Sequence, residues 1–439
     1  MIDAAATAGP FRRSGALSAV AARPRLALNR VALAATAVAV AMLPLAVPQG
    51  PENIAPIDAF IAVALGTSLL WAATAGRRWH FPYVIPVGLL LVGGALGALI
   101  GPVPGAGLVA LSQDVLLIGW CWALVNISHS AGNLRILLAT WVYSGIGWAV
   151  LAFIGLATGS QVLTGQIERQ GTRVQITLAD PSYAANYFFI SMMLIWATQR
   201  PRHRVVRLAA YALLLAAVAT TGSNSGMVAV IAGTGVAILL GIYRRFGAAL
   251  ALTTLSFFVP VAFFLASSIS FGEIQQRAHD SRYAFVRQGI GRSPESAGQR
   301  RMLLSESVQL YESGSPLGEG PVSTKPRIER EMGPLVKEAH DDYFAALIER
   351  GAIGFIGVLV LVSSLVLRGV SLMRAKPAGD VAAIVIKPNA LVGAVAGTLI
   401  AGTVYELLHV RHVWALFAFV AALYIWGRKG RIKELKGPG

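Results

Sequence analysis

Residues 136–158 read ILLATWVYSGIGWAVLAFIGLAT, a run without a charged side chain. A helix of about twenty apolar residues crosses the roughly 30 Å hydrocarbon core of a bilayer. Similar apolar runs occur at 31–47, 57–75, 84–101, 108–127, 183–198, 207–221, 226–242, 248–269, 352–372, 390–408 and 412–426. Apolar and polar residues do not alternate as they do in a membrane β-barrel. The sequence therefore predicts an all-α, polytopic membrane bundle of about twelve transmembrane helices.

The composition agrees with a membrane protein. Of the 439 residues 55% are hydrophobic and only 13% are charged, with a mean hydropathy of +0.63. The net charge of +16 would suggest nucleic acid as the partner of a soluble protein. No basic–aromatic module accompanies this charge, so we predict membrane lipids and no nucleic acid as partners. The single cysteine, Cys121, lies in an apolar run, which excludes an internal disulfide framework and a cysteine metal cluster.

The distribution of positive charge predicts the orientation in the membrane. With the N-terminus in the cytoplasm and the runs alternating, 23 of the 37 Lys and Arg residues fall on the inner side. The short outer connections contain only Arg169, Arg173 and Arg411. Eleven more lie in one long outer loop, and long loops translocate regardless of charge. We therefore expect a multi-pass protein of the inner, cytoplasmic membrane with both termini in the cytoplasm.

These runs divide the chain into five parts. We expect a cytoplasmic N-terminal segment at 1–30, followed by transmembrane helices 1–9 at 31–269. A large periplasmic loop spans 270–350, transmembrane helices 10–12 span 351–427, and a cytoplasmic tail spans 428–439. The N-terminal segment carries too long a charged region for a secretory signal, so the first helix is expected to stay uncleaved.

The long loop between helices 9 and 10 is expected to be helical. Leu304, Val308 and Tyr311 follow helical spacing, and a Gly- and Pro-rich stretch at 314–321 then breaks the pattern. A second helical pattern begins near Glu338 and continues into the tenth run. A loop of this length is suited to form a lid over the outer mouth of the bundle.

The outer face contains candidates for chemistry on an anionic substrate. An arginine fork binds phosphate through two parallel hydrogen bonds, although a single exposed arginine is usually only solvated. His340 precedes Asp341 and Asp342, and a carboxylate can orient an imidazole that takes a hydroxyl proton. His409 and His412 lie at the last short outer turn. No second spaced cluster of metal ligands accompanies them, so we predict no metal and no cofactor. Three acids near the outer ends of runs either line a cavity or are simply interfacial; they are Asp58, Asp114 and Glu406.

Four segments resemble one known family. Residues 340–354, HDDYFAALIERGAIG, resemble the hallmark of the O-antigen ligase and O-antigen polymerase superfamily. Arg300 followed by a helix and PLGEG at 316–320 is similar to the family's Arg–helix–Pro-x-Gly-x-Gly stretch. Arg173 ahead of DPSYAA at 180–185 resembles its Arg–Asp-Pro-Asn stretch, and TGSNSG at 221–226 resembles its Ser-Arg-Gly turn. Two positions depart from the family: Ser182 replaces the Asn, and Asn224 replaces the Arg.

The resemblance implies a metal-independent, inverting glycosyltransferase of GT-C type. The donor would be a glycan on undecaprenyl diphosphate, and the acceptor a sugar hydroxyl on lipid A-core for a ligase. His340 would be the general base and Asp341 or Asp342 would orient it. Arg173 and Arg300 would bind the diphosphate, with Arg301 or Arg411 as substitutes for the cation missing at Asn224.

Two alternatives remain open from the sequence. A polymerase, which joins lipid-linked repeat units of O-antigen or exopolysaccharide, shares the same motifs. The single dominant outer loop favours a ligase over a polymerase. A transporter or flippase of lipid-linked glycans would also suit twelve crossings, but the sequence shows no related halves.

Overall fold

The computed structural model describes residues 14–47, 54–75, 79–166, 173–268, 276–282, 287, 308–309, 311–323, 341–374 and 383–435. Within these ranges the secondary structure is helical and contains no strand. The helices are α1 (Ser14–Ala41), α2 (Pro56–Ala75), α3 (Val84–Ile100), α4 (Pro104–Ile127), α5 (Ala131–Thr158), α6 (Gln161–Thr164), α7 (Pro181–Thr198), α8 (Arg204–Thr220), α9 (Asn224–Phe246), α10 (Ala248–Ser268), α11 (Asp342–Arg374), α12 (Pro388–Ala401) and α13 (Arg411–Leu435). The predicted all-α class is thereby confirmed for the described part of the chain, and every predicted apolar run overlaps one of these helices.

Several of the helices have the length and composition of membrane spans. Five described helices qualify, namely α2, α4, α5, α9 and α11. Shorter apolar helices lie at Ala27–Ala41, Val84–Ile100, Ala248–Phe258, Pro388–Ala401 and Arg411–Gly427. The chain is therefore a multi-pass membrane protein, while the count of twelve crossings, their orientation and the inner membrane stay predictions.

Two helices end earlier than their apolar runs. Helix α1 stops at Ala41, three residues before Pro44, although the run continues to 47. Helix α12 stops at Ala401, although its run continues to 408. We call residues 402–410 the α12–α13 turn. Its backbone forms hydrogen bonds with Asp342 at the start of α11.

Helices α7 and α13 form the centre of the bundle. Almost every residue of α7 is buried, and α13 is buried continuously from Val413 to Leu423. A helix that is apolar all round is suited to such a position, because no face needs water. Helix α12 packs against α9 and α7, α11 against α3, and α13 against α4. The polar N-termini of α7 and α13 are therefore surrounded by other helices.

Four connections meet at the end of the bundle where α7 begins, which we call the α7 end. The Ile57 amide donates to the Leu45 carbonyl at 3.0 Å, and the Ala46 amide donates to the Thr177 carbonyl at 2.7 Å. The Asp342 amide donates to the Gly402 carbonyl at 2.9 Å. This is the end that the charge distribution assigns to the outer face.

The opposite end of the bundle contains a cluster of aromatic side chains. The ring of Trp71 stacks on His129 at 5.1 Å, and the ring of His80 lies 5.0 Å from that of Trp426. The Asn126 side chain exchanges two hydrogen bonds of 3.0 Å with the backbone of His80. Such rings are typical of the membrane–water interface. The structure thus separates an aromatic end from the α7 end.

Candidate functional site

Arg173 is fixed beside the turn between α8 and α9. Its Nε donates to the Thr221 carbonyl at 2.8 Å, and the neighbouring Val174 amide donates to the Thr220 carbonyl at 3.1 Å. The Arg173 side chain is only 8% exposed. These bonds hold a guanidinium at the α7 end.

The next motif residues join the N-termini of α7 and α9. The Asp180 carboxylate accepts the Ser182 amide at 2.6 Å and caps α7, which begins at Pro181. Ser223 caps α9 by accepting the Gly226 amide at 3.2 Å. The Ser223 hydroxyl also donates to the Ser182 hydroxyl at 3.2 Å. The two motifs therefore form one connected pair of helix caps.

Asn224 is the first residue of α9, in the turn that Arg173 contacts. The structure thus places no cation at this position, in keeping with the departure seen in the sequence. The cation of Arg173 lies at the Thr221 carbonyl, three positions earlier in the same turn.

A group of polar aromatic side chains connects α7 to the α12–α13 turn. The Tyr183 hydroxyl lies 2.6 Å from Nε2 of His409, and the rings of Tyr183 and Tyr405 pack edge to face at 5.2 Å. The Tyr405 hydroxyl bonds to Asp180 and to Tyr183. Burial lowers the pKa of His409 to about 4, with smaller contributions from the cations of Arg411 and Arg350. His409 is therefore neutral near pH 7.

This group lines a cavity of about 160 Å³ at the α7 end. A single buried water needs only about 10–15 Å³, so the cavity has room for a larger polar ligand. Its polar wall consists of Asp180, Tyr183, Tyr405, His409 and Arg411. We call it the tyrosine cavity.

Arg411 enters the cavity wall as one half of an ion pair. Its Nε donates to Oδ1 of Asp58 at 2.9 Å, and its Nη2 donates to Oδ2 at 2.6 Å. Both residues are 9% exposed. This bidentate geometry holds the guanidinium in one orientation.

The two acids after His340 have different contacts. The Asp341 carboxylate caps α11 by accepting the amides of Tyr343 at 2.7 Å and Phe344 at 3.1 Å. Burial raises the pKa of the Asp341 carboxyl, and the two amide hydrogen bonds counteract part of that rise. The Asp342 carboxylate accepts the amides of Leu407 at 2.8 Å and Leu408 at 2.9 Å. Asp342 therefore fastens the start of α11 to the α12–α13 turn.

The Pro-x-Gly-x-Gly stretch at 316–320 forms backbone hydrogen bonds with the segment of α11 that precedes Gly351. Gly351 interrupts α11 with φ 61° and ψ −169°, a conformation that is essentially restricted to glycine. Because the helix is interrupted, carbonyls just before Gly351 accept hydrogen bonds from amides outside the helix. The Glu319 amide donates to the Ile348 carbonyl at 3.0 Å, and the Gly320 amide donates to the Glu349 carbonyl at 2.9 Å. The Pro-x-Gly-x-Gly stretch is thus a backbone clasp around the break in α11.

Arg350, next to this break, is held by a second ion pair. Its Nη1 donates to Oδ2 of Asp114 on α4 at 2.6 Å. The side chains are 17% and 16% exposed. Asp114 and Asp58, predicted as cavity-lining or interfacial acids, are therefore both engaged by arginines.

Comparison with known families agrees with the motifs. Residues 209–359 match the family model described as O-Antigen ligase. This match, over about a third of the chain, supports membership in the O-antigen ligase superfamily. The match spans α8 to the first half of α11 and so includes the Ser223 turn, the backbone clasp and the start of α11. No curated protein matches the chain.

Membership in the O-antigen ligase superfamily implies a glycosyltransferase-like ligase or polymerase. The family also implies a lipid-linked glycan and a sugar acceptor as substrates. The family model leaves Arg173, Tyr183, His409 and Arg411 outside its boundaries, so their place in the site depends on the geometry described above.

The structure brings only some of the predicted site residues together. Asp342 and Arg411 meet through the α12–α13 turn, and Arg173 reaches the same end through the caps of α7 and α9. His340, Arg300 and Arg301 lie outside the described residues, as does most of the predicted loop at 270–350. The described part of that loop is helical at 308–309 and 311–313 and then turns, as its sequence pattern predicts. Among the described residues no group of three or more His, Cys, Asp or Glu side chains is arranged for a metal ion.

Three polar residues of the cavity were missed by reasoning from the sequence. Tyr183 belongs to the quoted Asp-Pro motif, yet its residue type suggested only an apolar helix start. Tyr405 lies inside the run at 390–408, which predicts a membrane crossing. His409 was placed at the outer face without a role. A signal was present in the concentration of polar residues around 405–412, YELLHVRH.

Proposed function

We propose that this protein is an O-antigen ligase-like glycosyltransferase. It transfers a glycan from undecaprenyl diphosphate to a sugar hydroxyl, such as one on lipid A-core, at the outer face of the cytoplasmic membrane. One observation carries the proposal: a continuous series of contacts leads from Arg173 through the caps of α7 and α9 to the tyrosine cavity, and on to the start of α11. In the sequence, His340 precedes that start by two residues.

We assign proton transfer and leaving-group stabilisation to different residues. His340 takes the proton of the acceptor hydroxyl as its oxygen attacks the anomeric carbon. The bond from that carbon to the diphosphate breaks on the opposite face, which inverts the configuration. Arg173, Arg300 and Arg301 stabilise the charge on the departing undecaprenyl diphosphate. No metal ion and no cofactor is part of this proposal.

The contacts of the two acids separate their proposed roles. Asp342 uses its carboxylate on the amides of Leu407 and Leu408, so we assign it as a positioning residue that fixes the start of α11. Asp341 adjoins His340 in the sequence and is only partly buried, whereas Asp342 is buried. We assign Asp341 as the carboxylate that orients the imidazole.

The position of the cavity supports an enzyme rather than a transporter. Secondary transporters bind their substrates near the middle of the membrane on broken helices. The tyrosine cavity instead lies at helix ends, where α1 stops and where α7 and α13 begin. A site at this depth is suited to a headgroup whose lipid remains in the bilayer.

The alternative of a polymerase uses the same residues on a different acceptor. The described residues 173–180 pack against the bundle and cap α7, so they add no second outer lobe. This compact arrangement supports the ligase.

The test is a His340→Ala variant in a deletion strain of the source organism, with surface polysaccharide as the readout. Loss of a general base lowers turnover by about 10²- to 10⁴-fold, so mature glycan should disappear at wild-type protein levels. His279→Ala, an exposed histidine in the described part of the same loop, is the matched control and should retain transfer. Full transfer by a well-expressed His340→Ala protein contradicts the proposal. Accumulated lipid-linked polymer identifies a ligase, whereas accumulated single repeat units identify a polymerase.

A further inference from the structure

We propose that the tyrosine cavity is a subsite for an uncharged sugar ring of the glycan, separate from the position of the diphosphate. This inference rests on the proposed function. It assigns Tyr183, Tyr405 and His409 to recognition of sugar hydroxyls, and it removes Arg411 from the diphosphate site.

The charges of the cavity wall argue against a phosphate ligand. Arg411 donates two of its nitrogens to the Asp58 carboxylate, and the pair is neutral as a unit. The Asp180 carboxylate lies on the same wall. A diphosphate placed here would meet this carboxylate and an arginine already neutralised by another acid. Like charge at such close range disfavours binding.

The same wall is suited to hydroxyl groups. In the series from Asp180 through Tyr405 and Tyr183 to His409, two hydroxyls that both donate and accept lie between a carboxylate and an imidazole. His409 is neutral, so one ring nitrogen donates and the other accepts. Sugar hydroxyls also donate and accept, and each can therefore replace or extend a link of this series without burying an unpaired charge.

The cavity also has the shape and location that a sugar ring requires. Its volume of about 160 Å³ exceeds the space of a single water more than tenfold. Two tyrosine rings, inclined at 64° to each other, provide apolar surface beside the hydroxyls. The apolar side of a ring sugar can pack on such a surface while its rim is hydrogen-bonded. The Asp180 cap further links the cavity to the helix caps beside Arg173.

The geometry leaves two sources for the sugar, the donor glycan or the acceptor glycan. Three probes separate them: bare undecaprenyl diphosphate, undecaprenyl diphosphate bearing one N-acetylglucosamine, and a neutral core oligosaccharide without lipid. Binding of each probe to the full-length protein in nanodiscs is measured by isothermal titration calorimetry. The variants are Tyr183→Phe and Tyr405→Phe, which remove one hydroxyl each.

Wild-type protein is expected to bind at least one sugar-bearing probe through the cavity. Each variant should weaken that binding by about two- to tenfold, the effect of one hydrogen bond, and leave bare undecaprenyl diphosphate unaffected. Tyr143→Phe on α5, whose side chain is half exposed, is the matched control and should bind all probes as wild type does. Weakening of the lipid-linked sugar alone assigns the cavity to the donor, and weakening of the oligosaccharide assigns it to the acceptor.

Two results overturn the inference: equal weakening of the bare diphosphate probe, or unchanged binding of both sugar probes by folded variants. Thermal melting of both variants establishes folding, and either one suffices for the comparison. Failure of the proposed function has a different signature. Full glycan transfer by His340→Ala would contradict the catalytic proposal even if the sugar subsite were confirmed.

Discussion

Arg411 and Asp58 form a bidentate ion pair that joins the first residue of α13 to the first turn of α2. The two side chains are 353 positions apart in the sequence, and their atoms approach to 2.6 and 2.9 Å. Asp58 also accepts the Ala55 amide at 2.9 Å, which fixes its carboxylate on α2. The pair therefore connects the early and late parts of the chain at the wall of the tyrosine cavity.

The first prediction concerns this pair. Asp58→Asn leaves the buried Arg411 charge without its carboxylate, and we expect it to lower the free energy of unfolding by about 3 kcal/mol. The measurement is thermal or denaturant unfolding in detergent. The double variant Asp58→Asn with Arg411→Gln removes the uncompensated charge and should recover part of the loss. An unchanged melting temperature for Asp58→Asn would show that the pair contributes nothing to stability.

A second prediction concerns the break in α11. Gly351→Ala places a Cβ 2.6 Å from the Gly318 amide nitrogen at a backbone conformation that side chains avoid. We expect a loss on the order of 3 kcal/mol in the free energy of unfolding, together with reduced transfer activity. Gly66→Ala on α2 is the control, because its Cβ meets no atom within 4 Å. It should be neutral or slightly stabilising. A Gly351→Ala protein as stable as Gly66→Ala would refute the backbone clasp.

A third prediction concerns pH. The pKa of His409 is about 4 in the folded protein, below its usual value of 6.5. Between these values the unfolded chain binds more protons, so His409 contributes stability above about pH 6.5 that is lost as the pH falls towards 4. We expect the melting temperature of the wild-type protein to fall over this window. His409→Gln should flatten the profile, by at most about 1.4 kcal/mol per pH unit.

The control for the pH experiment is His203→Gln, an exposed histidine at the opposite end of the bundle. It should retain the wild-type profile. Identical pH profiles for wild-type protein and His409→Gln would exclude His409 as the group responsible.

The fourth prediction concerns Arg173. Arg173→Ala removes a buried guanidinium at the α8–α9 turn. If it binds the diphosphate, affinity for undecaprenyl diphosphate should fall about ten- to a hundredfold, the range of a charged hydrogen bond. Arg135→Ala, an exposed arginine at the other end of the bundle, should leave the affinity unchanged. Equal affinities of Arg173→Ala and Arg135→Ala would remove Arg173 from the donor site.

Local sequence features were sufficient to predict the helices and the irregular backbone at 314–321. Charge-free runs such as 136–158 can be satisfied only by a helix in a membrane, so their positions follow without knowledge of the fold. The Pro-x-Gly-x-Gly stretch likewise predicts irregular backbone from residue type alone, whereas the helical pattern from Glu338 into the tenth run gave no indication of the break at Gly351. The sequence did not reveal that these two irregular stretches bond to each other, since they are about thirty positions apart.

The tyrosine cavity was not predictable because it depends on contacts between distant segments. Apolar periodicity extended the eleventh run to 408, whereas the Asp342 carboxylate takes the amides of Leu407 and Leu408 and prevents helix there. Tyr405 therefore lies in the wall of the cavity and not in a membrane helix. The ion pair of Arg411 with Asp58 was equally unpredictable, because neither local sequence indicates which distant residue is the partner.

The break at Gly351 also bears on how the protein responds to its bilayer. A continuous helix of the length of α11 would tilt or slide when the hydrocarbon core became thicker or thinner, and its outer end would move with it. The segment 342–350 is instead anchored by Leu407, Leu408 and the Glu319–Gly320 backbone. We therefore expect hydrophobic mismatch to be absorbed on the C-terminal side of Gly351, and the residues next to His340 to keep their position in membranes of different thickness.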